Sequence, residues 1–152
     1  MLFKKDKPAV TVTEVSLKKR YKFMYENFIV SSQQNLFLLL EKNDDKIDAI
    51  EFNFSIYKYG YPNDEIGHPL SQYGLGFYGI YIVHNSPWIE ELRSLNSAHP
   101  RHDDSSYENR KHYVVKFKDV TLEVICHDMK EIQLSKEDLS AFVNTELSYL
   151  EP

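Results

Sequence analysis

All five glycines of this 152-residue chain, Gly60, Gly67, Gly74, Gly76 and Gly79, fall between residues 60 and 79. Glycine takes positive φ at little cost and lets another backbone approach closely, so the sharpest bends are confined to that window. The wider stretch from residue 58 to 104 also holds four of the six prolines, four of the six histidines (His68, His84, His99, His102) and the single tryptophan, Trp88. Proline fixes φ, and irregular surface backbone is where binding residues concentrate. A recognition surface is therefore expected there, with the glycine-free flanks as scaffold.

The flanks carry the periodicities of strands and helices. The unbroken apolar run Leu36-Phe37-Leu38-Leu39-Leu40 reads as a buried strand, with a short buried helix as the alternative. Ile50, Phe52, Phe54 and Ile56 alternate with Glu51, Asn53 and Ser55, the pattern of a strand, and Tyr21, Phe23 and Tyr25 share its period of two. Leu75 to Val83 reads as a central strand, apolar on both faces, in which Gly76 and Gly79 imply a bulge or the close approach of another backbone or a ligand. With Lys118-Asp119 as a turn, Phe117 faces Val120, Val115 faces Leu122 and Tyr113 faces Val124, leaving Lys116 and Thr121 paired on the other face.

Ser86-Pro87 is a helix start, because the serine oxygen caps a free amide and proline gives up one that had no partner. The helix spans about 86–96, with Trp88, Leu92 and Leu95 on its inner face. A second helix over 136–149 opens on the capping box Ser135-Lys136-Glu137-Asp138 and aligns Leu139, Phe142, Val143, Leu147 and Leu150. Residues 1–14 are charged and proline-interrupted, a partly flexible tail leading into an edge strand. The expected fold is α+β: one domain over residues 1–152, with a mostly antiparallel sheet and two packed helices.

A formal net charge of −5 opposes nucleic-acid binding, which favours a basic stripe that releases counterions from phosphates. The basic groups Lys4, Lys5, Lys7 and Lys18, Lys19, Arg20, Lys22 read as tail and solvated edge strand. Cys126 has no second cysteine to pair with and sits in an alternating apolar run, as a buried thiol in a reducing compartment would. Asp6 and Pro8 interrupt any signal peptide and no stretch reaches membrane-spanning length, so a cytoplasmic protein off the membrane is expected.

Gly74-Leu75-Gly76-Phe77-Tyr78-Gly79 spells G-x-G-x-x-G, but a dinucleotide cradle needs a strand before it and a helix after it, and here a loop precedes and a strand follows. No cofactor is implied. His68 in one irregular stretch and His99, His102 and Asp103 in another would form a catalytic metal site if the two met. Otherwise those histidines order turns by bonding loop backbone. Tyrosine offers rigid contact area with a polar tip, so Tyr59, Tyr61 and Tyr73, together with Asp64, Glu65, His68 and Arg101, are the candidate binding residues. Phe77, Tyr81 and Trp88 are assigned to the core instead.

The run Gly67-His68-Pro69-Leu70, then Tyr73-Gly74, Asn85-Ser86-Pro87-Trp88-Ile89 and His99-Pro100-Arg101, resembles small stand-alone bacterial proteins without an assigned activity. The likeness spans roughly residues 60 to 127 and implies a bacterial source but no function. The leading expectation is a non-catalytic protein-binding module of inhibitor or immunity type, presenting acidic residues and loop tyrosines to a basic protein partner. A metal-assisted hydrolase using His68 and the His99–Asp103 loop is the alternative. A small-molecule sensor with a pocket between the sheet and the Trp88 helix is a third.

Overall fold

The computed structural model describes residues 8–24, 27–60 and 67–152. Its strands are Thr11–Glu14 (β1), Phe28–Ser31 (β2), Asn35–Asn43 (β3), Lys46–Gly60 (β4), Gly79–His84 (β5), Lys111–Lys116 (β6) and Thr121–Ser135 (β7). They form one sheet in the order β1-β5-β6-β7-β4-β3-β2, and every pairing is antiparallel. The helices are Pro87–Asn96 (α1), the short Ser105–Glu108 (α2) and Lys136–Ser148 (α3), with a 3-10 turn over Pro69–Tyr73. The α+β expectation is borne out, as are both long helices.

The hairpin also forms in the expected register: Tyr113 pairs with Val124, Val115 with Leu122 and Lys116 with Thr121, and Phe117 N–H donates to the Val120 carbonyl at 3.0 Å. Beyond the hairpin, β7 runs on alongside β4 from Thr121↔Gly60 to Ser135↔Lys46. These two strands are the spine of the sheet.

β1 and β2 are consecutive in sequence yet occupy opposite edges. Between them, residues 15–24 cross one face of the sheet as a strap. Val15 N–H donates to the Ile80 carbonyl at 2.8 Å, Lys18 N–H to both Glu131 carboxylate oxygens at 2.8 and 3.0 Å, and Lys22 N–H to Glu41 at 3.2 Å. Lys19 pairs with Asp48 at 3.0 Å. The alternating Tyr21 and Phe23 thus lie outside any strand, and Tyr25 lies outside the described residues. The basic cluster takes part in tying the strap down: beyond Val15, Glu131, Asp48 and Glu41 of the sheet each meet a lysine backbone or ammonium.

Strap residue Phe23 caps a core of Leu36, Leu38, Ile50, Phe52, Val115 and Val124. On the opposite face, Leu139 and Phe142 of α3 cover Phe37, Leu39 and Ala49, while Leu70 and Leu75 cover Val12, Val83 and Val114. The run Leu36–Leu40 is apolar at every position because both of its faces are covered. The helices are less deeply seated than expected. Leu95 of α1 and Val143, Leu147 and Leu150 of the α3 region are exposed. Of the expected tail, residues 11–14 are edge strand β1. The strand expected from Leu75 begins only at Gly79, since residues 75–78 fold back over it.

Candidate functional site

Strand alternation places His112 of β6 and Glu123 of β7 on the face opposite the strap. Burial of carboxylate and imidazole there requires mutual hydrogen bonding. Glu123 Oε1 lies 2.9 Å from His112 Nε2 and Oε2 lies 3.2 Å from His68 Nε2, and all three side chains are largely buried. His68 Nδ1 accepts from Leu70 N–H at 3.0 Å, so its proton sits on Nε2 and is donated to Glu123. His112 Nδ1 meets Ser86 Oγ at 2.7 Å, and Ser86 Oγ accepts from Ile89 N–H at 3.2 Å as the cap of α1. Burial would raise the Glu123 pKa, but the bonds from His112 and His68 outweigh it and bring the pKa down to about 2.

The result is a polar chain from loop to sheet to helix: His68, Glu123, His112, Ser86. Trp88 closes it from above, edge-on to His112 at 5.4 Å, and Lys58 Nζ sits 4.0 Å over the indole. The Ser86–His112–Glu123 order matches that of a hydrolytic relay. Yet Pro87, following the serine, has no N–H to offer a developing oxyanion, and the serine oxygen is engaged as a helix cap. Through Glu123 and His112 the polar chain links the loop that carries His68 to the cap of α1.

That loop leads into a displayed aromatic ledge. His68 also starts the 3-10 turn Pro69–Tyr73, which ends on Gly74 at φ 104°. A Cβ on Gly76 would stand 2.5 Å from the Tyr81 hydroxyl and force that ring to shift, and Tyr81 in turn donates to the Phe77 carbonyl at 3.0 Å. The neighbour at Gly76 is thus the Tyr81 side chain and not the second backbone or ligand expected there. The segment delivers Tyr73, Phe77 and Tyr78 to the surface at 38%, 63% and 43% exposure. Phe77 had been assigned to the core; instead its carbonyl is pinned by buried Tyr81 and its ring is turned outward. Tyr81 and Trp88 are buried as expected, and Tyr59 is exposed at the same end of the sheet, where Gly60, Thr121, Lys116 and Gly79 form one cross-strand row.

The remaining candidates lie elsewhere. Tyr61, Asp64 and Glu65 fall outside the described residues. His99 Nδ1 accepts from Arg101 N–H at 3.1 Å, and Asp103 binds the hydroxyl and N–H of Ser105 at 2.7 and 2.9 Å. His102 bridges Asn96 at 3.0 Å and Asp104 at 2.5 Å and stacks on Tyr107. These residues order their own loop and share no partner with His68, and the described residues hold no group of three or more His, Cys, Asp or Glu placed to hold a metal ion. Cys126 is fully buried, and burial pushes its thiol up to about 12, out of reach of nucleophilic chemistry.

His112 and Glu123 escaped the sequence reading. The signal was available: the register that aligned Tyr113, Val115, Leu122 and Val124 also puts His112 and Glu123 together on the reverse face. No family model, curated protein or solved structure matches the chain.

Proposed function

We propose that the protein is a non-catalytic binding module of inhibitor or immunity type that engages a protein partner through Tyr73, Phe77 and Tyr78. The observation that carries this reading is Tyr78, an exposed aromatic residue at φ 49°, in the left-handed region, one position before Gly79. A bulky side chain is rare there and costs on the order of 1–2 kcal/mol, a strain that accumulates at ligand-binding sites. Rigid aromatic side chains on a braced loop lose little entropy on binding and dominate interface energetics. The net charge of −5 favours a basic protein partner over nucleic acid. A lone buried thiol fits the cytoplasm, and the sequence resemblance favours a bacterial source.

Two tests follow. Immobilised protein should capture a stoichiometric partner from extracts of its own cell, and Phe77→Ala with Tyr78→Ala should weaken that complex about 100-fold or more while the melting temperature holds. Equal capture by wild type and double variant, or no capture at all, sinks the reading. Tyr78→Gly should leave stability within about 1 kcal/mol of wild type, since relief of left-handed strain offsets the added chain entropy, yet still weaken the complex. A large loss of stability would mean that Tyr78 serves the fold.

A further inference from the structure

Among the described residues β2 closes one margin of the sheet and β1 the other. An edge strand presents N–H and C=O groups that no neighbour pairs, and proteins commonly blunt it with charge or proline. β1 is blunted in this way: it reads Thr-Val-Thr-Glu and follows closely on Pro8. β2 reads Phe-Ile-Val-Ser and has neither device. Ser32 N–H donates to the Asn35 carbonyl at 2.9 Å, which sets the phase of the β2–β3 ladder. In that phase Phe28 and Val30 exchange bonds with β3, and the N–H and C=O of Ile29 and Ser31 point away from the sheet.

The helix beside this edge is equally bare. Leu139 of α3 lines one hollow with Phe28 and Leu39, and Val143 and Leu147 continue its row, four residues apart, along the same flank of the helix. Phe28, Val143 and Leu147 are exposed to 53%, 45% and 53%, so the flank and the strand form one open apolar strip. Neither β2 nor that row carries a charge, although 27% of the chain's residues do. A basic partner, suited to the net charge of −5, finds no acid in this strip, whereas two identical uncharged strips do not repel.

We propose that this edge pairs with the same edge of a second copy of the chain, joining two sheets into one about a two-fold axis through Val30. Antiparallel pairing of Ile29 with Ser31 of the partner subunit gives the outward N–H and C=O of both residues a partner in each copy. The axis stands perpendicular to the sheet, so both α3 helices lie on one face with their Val143 and Leu147 flanks toward each other. Four edge residues alone fall short of the roughly 800 Å² per subunit that a stable dimer buries, and the α3 flank completes the contact. The aromatic ledge lies toward the other margin, where Leu70 and Leu75 cover Val12, Val83 and Val114, so the dimer carries two free ledges.

Analytical ultracentrifugation of the full chain from about 1 µM to about 0.5 mM should show a dimer with a Kd of about 10 µM or tighter. Val143→Glu combined with Leu147→Glu places like charges across the axis and should weaken the dimer about 30-fold or more, with the circular dichroism of the folded chain unchanged. Val30→Cys should form an intersubunit disulfide in air, because opposed residues of a non-bonded antiparallel pair stand about 4.5 Å apart at Cα. Thr13→Cys on β1 should not, and the native Cys126 is buried and adds no crosslink. The crosslink reports on the pairing even if the glutamates disturb folding. A wild-type chain that stays monomeric to about 0.5 mM overturns the proposal and leaves the edge to a strand of another protein. A dimer indifferent to the glutamates, or crosslinking at Thr13→Cys and not at Val30→Cys, overturns it by seating the second copy on another face.

Discussion

Replacing Glu123 by leucine should cost the fold about 3–5 kcal/mol, the largest loss expected from any single polar position, and lower the melting temperature by roughly 10 °C or more. Leucine fills a similar volume but leaves the Nε2–H of His68 and the Nε2–H of His112 buried without an acceptor. His68 cannot escape by moving its proton, because its Nδ1 already accepts from Leu70 N–H. His112 can. Glutamine at position 123 could therefore accept from His68 and donate to His112, which would then turn its Nδ1 proton toward Ser86. Glu123→Gln should accordingly cost about 1–2 kcal/mol, less than leucine, because it loses charge assistance while both imidazoles keep a partner. Denaturant unfolding of the three proteins checks the order; a leucine variant within about 1 kcal/mol of wild type would dissolve the chain as a stabilising element.

The same residue governs acid stability. The Glu123 pKa lies at about 2 when folded, against an ordinary 4.5. A lowered folded value means that the stabilisation is fully present above pH 4.5 and is lost as the pH falls toward 2. Asp48, Asp103, Asp104 and Asp138 are also held below the usual carboxylate range, so wild-type stability falls from several sources. The difference between wild type and Glu123→Gln isolates this one: it should shrink as pH drops from 4.5 to 2.

Legibility in the sequence followed the reach of each interaction. The β6–β7 turn is local, and its register could be read from the alternation of Tyr113, Val115, Leu122 and Val124. The starts of α1 and α3 were written in Ser86-Pro87 and in Ser135 with Asp138, because a cap is settled within four residues. The pairing of β7 with β4, the strap and the helix seats depend on contacts between segments distant in sequence, from Gly60 with Thr121 to Lys18 with Glu131. Periodicity reports which faces are apolar and not what covers them; Leu147 and Leu150 carry the spacing of a buried stripe and yet are exposed. At the site, His68 was singled out from its loop, while Glu123 and His112 were hidden in strands read for their apolar face. A polar residue at an alternating position inside a buried strand was the overlooked clue, since burial forces it to find a partner.

Phe23→Ala should cost about 3–5 kcal/mol and loosen the strap without disturbing the β6–β7 hairpin. Phe23 is the strap's one deeply buried side chain among the described residues, packed 5.9 Å from Phe117 and set over the core of both central hairpin strands. Val15 and Leu17 pack against the same core but are only partly buried, and the strap's polar ties are Tyr21 and the Lys18 backbone on Glu131 and Lys19 on Asp48. In water such contacts exchange for solvent at little net gain, typically about 1 kcal/mol or less. Glu131→Ala should therefore destabilise by only about 1–2 kcal/mol although it removes three hydrogen bonds. Hydrogen exchange adds the spatial test. The strap is the sole chain link between the two edge strands, so Phe23→Ala should speed exchange first in β2 and in its partner amides of β3, where Phe28 pairs with Leu39 and Val30 with Phe37. A Glu131 variant as unstable as the Phe23 variant, or exchange that rises uniformly across the sheet, would mean that polar ties and not the aromatic plug hold the strap across the sheet.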